Sequence, residues 1–302
     1  MEEAKAKERA MYTPLECRPD GYQEWYKQGN LLRQLGDHRS ALFCYERAID
    51  YNSQDYWAWY RRGTILEKLG KYNEAIASYE QACNLKPQNY WSWYQQGCIC
   101  LQELAQYHRA ITCFESALDY NPDDYWSIYR MGNAWSKLQQ YERAIACFNR
   151  LLEIRPKDFW TYYRLAETYQ KQGKLYLALL NFDRALALKS EDYWSWYQKG
   201  MVLQQLDRLS DAINCYLQAL SLDFQSSALY YQLACCYAGQ NKVSWAITYI
   251  EKALDLNPES YLKLAIGDPI WSEYRQKAGF MKLIHKKSNN ISEITNNPQS
   301  FH

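Results

Sequence analysis

Five tryptophans recur at near-constant spacing, Trp57, Trp91, Trp126, Trp160 and Trp194, and a tyrosine stands three residues after each: Tyr60, Tyr94, Tyr129, Tyr163 and Tyr197. Arg61, Arg130 and Arg164 follow three of these tyrosines directly, Arg62 and Lys199 stand two residues after Tyr60 and Tyr197, and Lys27 follows Tyr26, the equivalent tyrosine of the unit before. Side chains of these kinds recognise rather than make and break bonds. An aromatic face accepts a proline ring or a cation, and a guanidinium offers a planar pair of donors to a carboxylate. The set therefore suits an extended peptide carrying acidic, aromatic or proline residues.

Residues for catalysis are not assembled in the same way. The sequence has no GxGxxG, no Walker-type GK[ST], no HExxH and no GxSxG. Its four histidines, His38, His108, His285 and His302, are scattered over turns and the C-terminal tail. Neither an enzyme nor a cofactor is expected. The ten cysteines lack CxxC spacing, and Cys44, Cys113, Cys147 and Cys215 fall at one equivalent place in a repeat. Helices pack about 8–10 Å apart, whereas a disulfide needs Cα atoms within about 7 Å. Reduced, half-buried thiols are expected, and no zinc site.

Length allows one large domain or two ordinary ones across 302 residues. A net charge of +1 gives no global attraction to nucleic acid or an anionic membrane. No apolar run reaches the roughly 18–20 residues of a spanning helix, and the mixed-charge start "MEEAKAKERAMYTP" has no secretory apolar core. A soluble, cytoplasmic chain is the expectation.

The elements that position the aromatics repeat every 34 residues. Aromatic starts fall at Tyr22, Tyr56, Tyr90, Tyr125, Phe159 and Tyr193, and a degenerate seventh unit begins at Ser227. One interval, from Tyr90, is longer by a single residue, placed between Gly97 and Tyr107. Each unit reads as two helices. In the second, Trp59, Gly63 and Leu66 share one face, a turn follows at Gly70, and Ala75, Tyr79 and Ala82 share the face of a second helix. Pro87 closes that unit, and Asp55, Asn89, Asp124, Asp158 and Asp192 stand where a helix needs its N-cap. Gly29, Gly63, Gly97, Gly132 and Gly200 admit the partner helix, as do Ala41, Ala75, Ala110, Ala144, Ala178, Ala212 and Ala246 from the other side. Tyr45, Phe114, Phe148 and Phe182 fill the remaining space.

This pattern of Trp, Leu-Gly, Tyr, then Ala, Phe, Ala and Pro resembles the tetratricopeptide repeat (TPR) family, of the bacterial tandem-array type. The fourth unit carries it as Gly132, Trp135, Ala144, Phe148 and Pro156; the fifth departs at Ala166 and Ser190, the seventh at Ala234. The resemblance implies an all-α fold, a right-handed α-solenoid of about seven helix-turn-helix units spanning 22–260. A C-terminal capping helical segment at 261–285 would carry Asp268-Pro269, Trp271, Arg275 and Phe280. Residues 1–21 form a charged N-terminal flank with room for a short helix, and the polar 286–302 read as a disordered tail.

Counting the first aromatic as position 1, position 4 (Trp25, Trp59, Trp93, Trp196) shares a face with the glycine and is assigned to the repeat core. Positions 2 and 5 point elsewhere, and in the TPR family they line the groove that holds ligands. The resemblance thus implies a non-enzymatic scaffold or adaptor whose peptide-binding groove uses Trp57, Tyr60, Arg61, Trp91, Tyr94, Trp126, Tyr129, Arg130, Trp160, Tyr163, Arg164, Trp194 and Tyr197. Half-exposed indoles in a row leave an apolar strip of roughly 400 Å² or more, a size that usually marks an interaction site. Two roles stay open for them, ligand contact and packing between repeats. The chaperone-tail clamp of the family is not expected, since position 5 is tyrosine where the clamp needs a base. Single-stranded RNA stacked on the same rings is an alternative, disfavoured by the net charge; a carbohydrate or small aromatic ligand is another.

Overall fold

The computed structural model describes residues 21–296, all of them helical or in turns, with no strand among the described residues. The expected N-terminal flank up to residue 20 lies outside the described residues. The chain divides into two compact units, Met1–Ile154 and Arg155–His302.

In the first unit the helices are α1 (Tyr22–Gln34), α2 (His38–Tyr51), α3 (Tyr56–Lys68), α4 (Tyr72–Leu85), α5 (Tyr90–Gln102), α6 (Tyr107–Tyr120), α7 (Tyr125–Lys137) and α8 (Tyr141–Ile154). Each odd-numbered helix pairs with the helix that follows it, and each pair packs on the next. Helix starts are fixed by the expected caps. Asp55 accepts from Ala58 N at 2.8 Å, Asn89 from Trp91 N at 3.3 Å and Asp124 from Ser127 N at 2.8 Å, each satisfying a backbone donor with no partner inside its helix. The turn inside a repeat needs one residue of left-handed backbone, supplied by Gly70 at φ +74° after α3 but by Gln139 at φ 59° after α7. The extra residue of the third repeat falls in this turn, between α5 and α6, where Ala105 takes φ 52°.

The core is built from small residues facing rings. Ala41, Ala75, Ala110 and Ala144 are fully buried, and so are Tyr45, Tyr79, Phe114 and Phe148. A methyl added at Gly97 would lie 2.6 Å from the Phe114 ring, inside any tolerable contact.

The second unit repeats the scheme with α9 (Phe159–Lys171), α10 (Leu175–Leu188), α11 (Tyr193–Gln205), α12 (Leu209–Leu222), α13 (Ser227–Gly239) and α14 (Val243–Leu256). Asp158, Asp192 and Ser226 cap α9, α11 and α13. Phe182 and Tyr216 are the rings buried against Ala166 and Gly200. Beyond them come α15 (Pro258–Gly267), two short 3-10 turns (Pro269–Trp271 and Tyr274–Gln276) and α16 (Ala278–Asn296).

The closing segment works by covering the seventh repeat. Trp271 is completely buried and stacks on Phe280 at 5.4 Å. Its indole N–H donates to the Tyr231 hydroxyl at 3.3 Å, that hydroxyl donates to the Asp268 carboxylate at 2.8 Å, and Arg275 donates to the Asp268 carbonyl at 2.8 Å. Two expected boundaries move. Pro258 opens α15 rather than only closing the helix before it, since a proline in the first turn loses no hydrogen bond. Residues 286–296, expected in the disordered tail, continue α16, and the ion pair of Lys287 with Asp255 on α14 supplies a tether at the start of that extension. The rest of the expected tail, 297–302, lies outside the described residues.

Among the described residues there is no disulfide. Cys44, Cys113, Cys147 and Cys215 are buried rather than half-buried, and burial pushes the thiols of Cys44, Cys147 and Cys215 up to about 11. No described helix is long and apolar enough to cross a membrane.

Candidate functional site

The first helix of each repeat sorts its aromatic residues by the 100° turn between neighbours. Position 2 faces outward. Trp57 and Trp91 are each 44% exposed, Trp126 52%, Trp160 53% and Trp194 58%. Each indole stands nearly perpendicular to the tyrosine at position 5 of its own helix. Ring centroids are 5.9 Å apart for Trp57–Tyr60, 6.1 Å for Trp91–Tyr94 and 6.1 Å for Trp126–Tyr129 in the first unit. In the second they are 6.3 Å for Trp160–Tyr163 and 6.1 Å for Trp194–Tyr197. Edge-to-face contacts of this kind are favourable, so every indole is held in one orientation before anything touches it.

Position 5 does different work. Tyr129 and Tyr163 are buried, and Tyr60, Tyr94 and Tyr197 partly so. Their rings lie against the aromatic residue of the second helix, as in Tyr60–Tyr79 at 5.6 Å and Tyr197–Tyr216 at 6.0 Å. Their hydroxyls point toward the next repeat, where Gln95 faces Tyr60, Arg130 faces Tyr94 and Gln232 faces Tyr197. Burial pushes the Tyr94 hydroxyl up to about 12. The tyrosines of the expected groove are therefore the floor beneath the indoles and the joint between repeats.

Position 1, which sequence reasoning used only to mark the period, forms a second joint. The Tyr22 hydroxyl donates to Asp55 at 2.5 Å, Tyr56 shares a 3.0 Å bond with Ser92 Oγ, and Tyr193 shares a 2.8 Å bond with Ser226 Oγ. The signal was present, a tyrosine with a small polar residue or cap 33 to 36 positions later. Its direction is visible only once the repeats are stacked.

Position 4 keeps its assignment to the core only in part: Trp25 and Trp196 pack against the core of their repeats, while Trp59 and Trp93 belong to no core cluster among the described residues. Trp59, Trp93 and Trp196 are half-buried at the repeat edge, and their indole N–H groups donate backwards to the carbonyls of Ser53, Pro87 and Ser190 at 2.9, 3.2 and 2.8 Å. An indole is too long to fit beside a ring already touching the glycine, so it leans over the preceding turn. A recess of about 460 Å³ lies beside Trp59 and one of about 410 Å³ beside Trp196.

The cations divide in the same way. Arg61 lies 5.9 Å from the centroids of both Trp57 and Tyr60, on the tryptophan face. Arg130 reaches Tyr94, and Arg164 pairs with Glu167 at 2.7 Å. Arg62 and Lys199, one residue further on, turn instead to the preceding second helix and pair with Glu46 at 3.1 Å and Asp183 at 2.6 Å. In the second unit a recess of about 310 Å³ beside the ladder is lined by Glu167, Gln170, Lys171, Gln198 and Gln205. Among the described residues no group of three or more His, Cys, Asp or Glu side chains converges as a metal site would require.

Family models described as tetratricopeptide repeat or TPR repeat match residues 26–90, 92–124, 132–173, 161–192, 195–226 and 227–260. No curated protein matches the chain. Solved structures do. The C-terminal part of a TPR repeat-containing protein from Cytophaga hutchinsonii is 15% identical with a TM-score of 0.68, covering 79% of this chain and 98% of that one. A tetratricopeptide repeat protein from Parabacteroides merdae is 18% identical with a TM-score of 0.61, covering 89% and 99%. MamA from Desulfovibrio magneticus is 22% identical with a TM-score of 0.52, covering 56% and 94%. At these identities the likeness is one of fold.

Proposed function

The chain belongs to the tetratricopeptide repeat family, and from that premise we propose that it is a non-enzymatic scaffold that binds an extended segment of a partner protein on its tryptophan rows. The observation carrying this reading is the half-exposure of an indole at the same helix position in five successive repeats, each held edge-on by a tyrosine of its own helix. Trp57, Trp91 and Trp126 form the row of the first unit, Trp160 and Trp194 that of the second. The T-shaped tyrosine contacts fix the indoles in advance, so little conformational freedom remains to be lost on binding. Extended peptides suit such a row, because their own side chains recur at short intervals and their backbone needs no prior fold. Tyr60, Tyr94, Tyr129, Tyr163 and Tyr197 act beneath the indoles as their supports, and Arg61, Arg130 and Arg164 flank them. The proposal places the chain in the cytoplasm, in an adaptor role in complex assembly.

The test is affinity capture from native lysate read by mass spectrometry. Wild type is compared with a Trp57→Ala, Trp91→Ala, Trp126→Ala variant and with a Trp160→Ala, Trp194→Ala variant, after circular dichroism has shown all three to be equally helical. Protein partners lost with one or both rows bear the reading out. Full retention of every partner by both folded variants would overturn it.

A further inference from the structure

The near-neutral whole chain conceals a one-signed face in its first unit. At 100° per residue, positions 2, 6, 9 and 13 of a first helix lie on one side. Over α3, α5 and α7 those twelve positions hold Trp57, Trp91 and Trp126, four cations (Arg61, Lys68, Arg130 and Lys137), and no carboxylate. None of the four forms an ion pair among the described residues. The Nε–H groups of Arg61 and Arg130 are buried from solvent without a hydrogen-bond partner. Glu67, the residue before Lys68 and within reach of its charge, sits off this face and accepts from the Tyr79 hydroxyl at 3.1 Å. The same four positions in the second unit differ: Arg164 is neutralised by Glu167, and α11 offers Gln198, Met201 and Gln205.

Spacing narrows the occupant further. The Tyr56–Ser92 bond joins the first helices α3 and α5, and at a helix spacing of about 10 Å successive tryptophans would recur at about that interval. A polyproline-II segment rises about 3.1 Å per residue with three residues per turn, which returns the same side of the chain every 9–10 Å or so. One turn then matches one repeat, and Arg61 and Arg130, two repeats apart, stand about six residues from each other along such a segment. An indole face accepts a proline ring, and a guanidinium donates a pair of hydrogen bonds to a carboxylate. A single nucleic-acid strand would instead bring a phosphate at every nucleotide, against four cations in three repeats.

We propose that the tryptophan face of the first unit binds an acidic polyproline-II segment of a partner protein, with one turn on each of Trp57, Trp91 and Trp126 and carboxylates at Arg61 and Arg130. This rests on the reading of the tryptophan rows as the binding surface and adds the chemistry of the occupant.

The full chain is titrated into fluorescein-labelled twelve-residue peptides and anisotropy is recorded. The probe is four Glu-Pro-Pro triplets; the comparators are Lys-Pro-Pro, Gln-Pro-Pro and Glu-Gly-Gly triplets of the same length and a twelve-nucleotide oligouridine. The acidic proline peptide should bind tightest, with the lysine peptide weaker by about 100-fold and the glycine peptide by about 10-fold, the latter because its chain is not pre-extended. Arg61→Gln and Arg130→Gln should each weaken the probe about 10-fold and flatten its salt dependence, while Arg109→Gln, on the second helix α6 and paired there with Glu80, leaves it within twofold. Equal binding of the acidic and lysine peptides, unaltered binding by the Arg61→Gln, Arg130→Gln double variant, or binding of oligouridine alone would each overturn the proposal. These peptide comparisons use the wild-type chain and stand whatever a variant does to folding. If the neutral glutamine peptide binds as well as the acidic one and is lost on Trp57→Ala, Trp91→Ala, Trp126→Ala, the acidic assignment fails while the ladder reading survives. If no peptide binds and the tryptophan variants also keep every lysate partner, both fail.

Discussion

Within a single octet the tyrosines and tryptophans have parted company. Tyr56 is buried and bonded to Ser92 of the next repeat, while its neighbour Trp57 is nearly half exposed. The same contrast holds between Tyr125 and Trp126. Both rings are large and apolar, so composition does not separate them; the 100° step from one residue to the next does. A tyrosine brings a hydroxyl that can be satisfied inside the joint between repeats. An indole at position 2 has no such joint to enter and meets solvent. The repeated aromatic residues of the first helices thus fall into two rows, one buried in the joints between repeats and one exposed to solvent.

Alkaline pH should attack the buried row far more than the exposed one, and gives the largest expected effect. The Tyr56 hydroxyl ordinarily ionises near 10.0 but is held by burial to about 12, and the Cys44, Cys147 and Cys215 thiols, ordinarily near 9.0, are held to about 11. All four are raised in the folded chain, so their contribution is complete below pH 9 and is lost as the pH climbs through 11 and 12. Together they amount to several kcal/mol, and urea midpoints measured from pH 8 to 11.5 should fall steadily above pH 9. A flat profile would deny that these groups are buried. Tryptophan has nothing to titrate, so the exposed row contributes no part of the fall.

Next in size, Tyr56→Ala should cost about 3–5 kcal/mol by emptying a ring-sized site in the joint, read from urea unfolding. Gly200→Ala should cost about 1–3 kcal/mol, because the added methyl meets the Tyr216 ring at 2.5 Å and that ring is enclosed on all sides. A Gly200→Ala chain as stable as wild type would show that the ring has room to move. Smallest is Trp57→Ala, at about 1–2 kcal/mol, since only about half of the indole leaves water on folding. Should Trp57→Ala destabilise as much as Tyr56→Ala, the division between the rows collapses and the indoles are packing residues.

Much of the fold was legible because its causes are local. The 34-residue period, the caps at Asp55 and Asp192, and the facing Ala and ring positions each follow from short-range geometry. The closing residues Asp268, Trp271, Arg275 and Phe280 were legible only through the family likeness, because they meet across the seventh repeat rather than along one helix. The exposure of the ladder was legible only in part. Its tryptophans stand exposed as a binding row would require, but the role of the tyrosines at positions 1 and 5 depends on where the next repeat lands, which no single-helix projection contains. Trp59 and Trp93 were misplaced in the core for a related reason: a helical wheel gives direction and not reach, and an indole in that direction is long enough to hook the preceding turn. Arg62 and Lys199 looked like members of the ladder because they adjoin it in sequence, yet one further residue rotates them to the opposite side. Residues 286–296 read as disordered on composition, which carries no trace of the pairing of Lys287 with Asp255.

The most direct test of the division between rows is site-specific photocrosslinking. Benzoylphenylalanine is introduced in place of Trp91 on the exposed row, or in place of Ala77, an exposed residue of the second helix α4. The account predicts protein crosslinks in native lysate from position 91 and none above background from position 77. Crosslinks from position 77 with none from position 91 would contradict it.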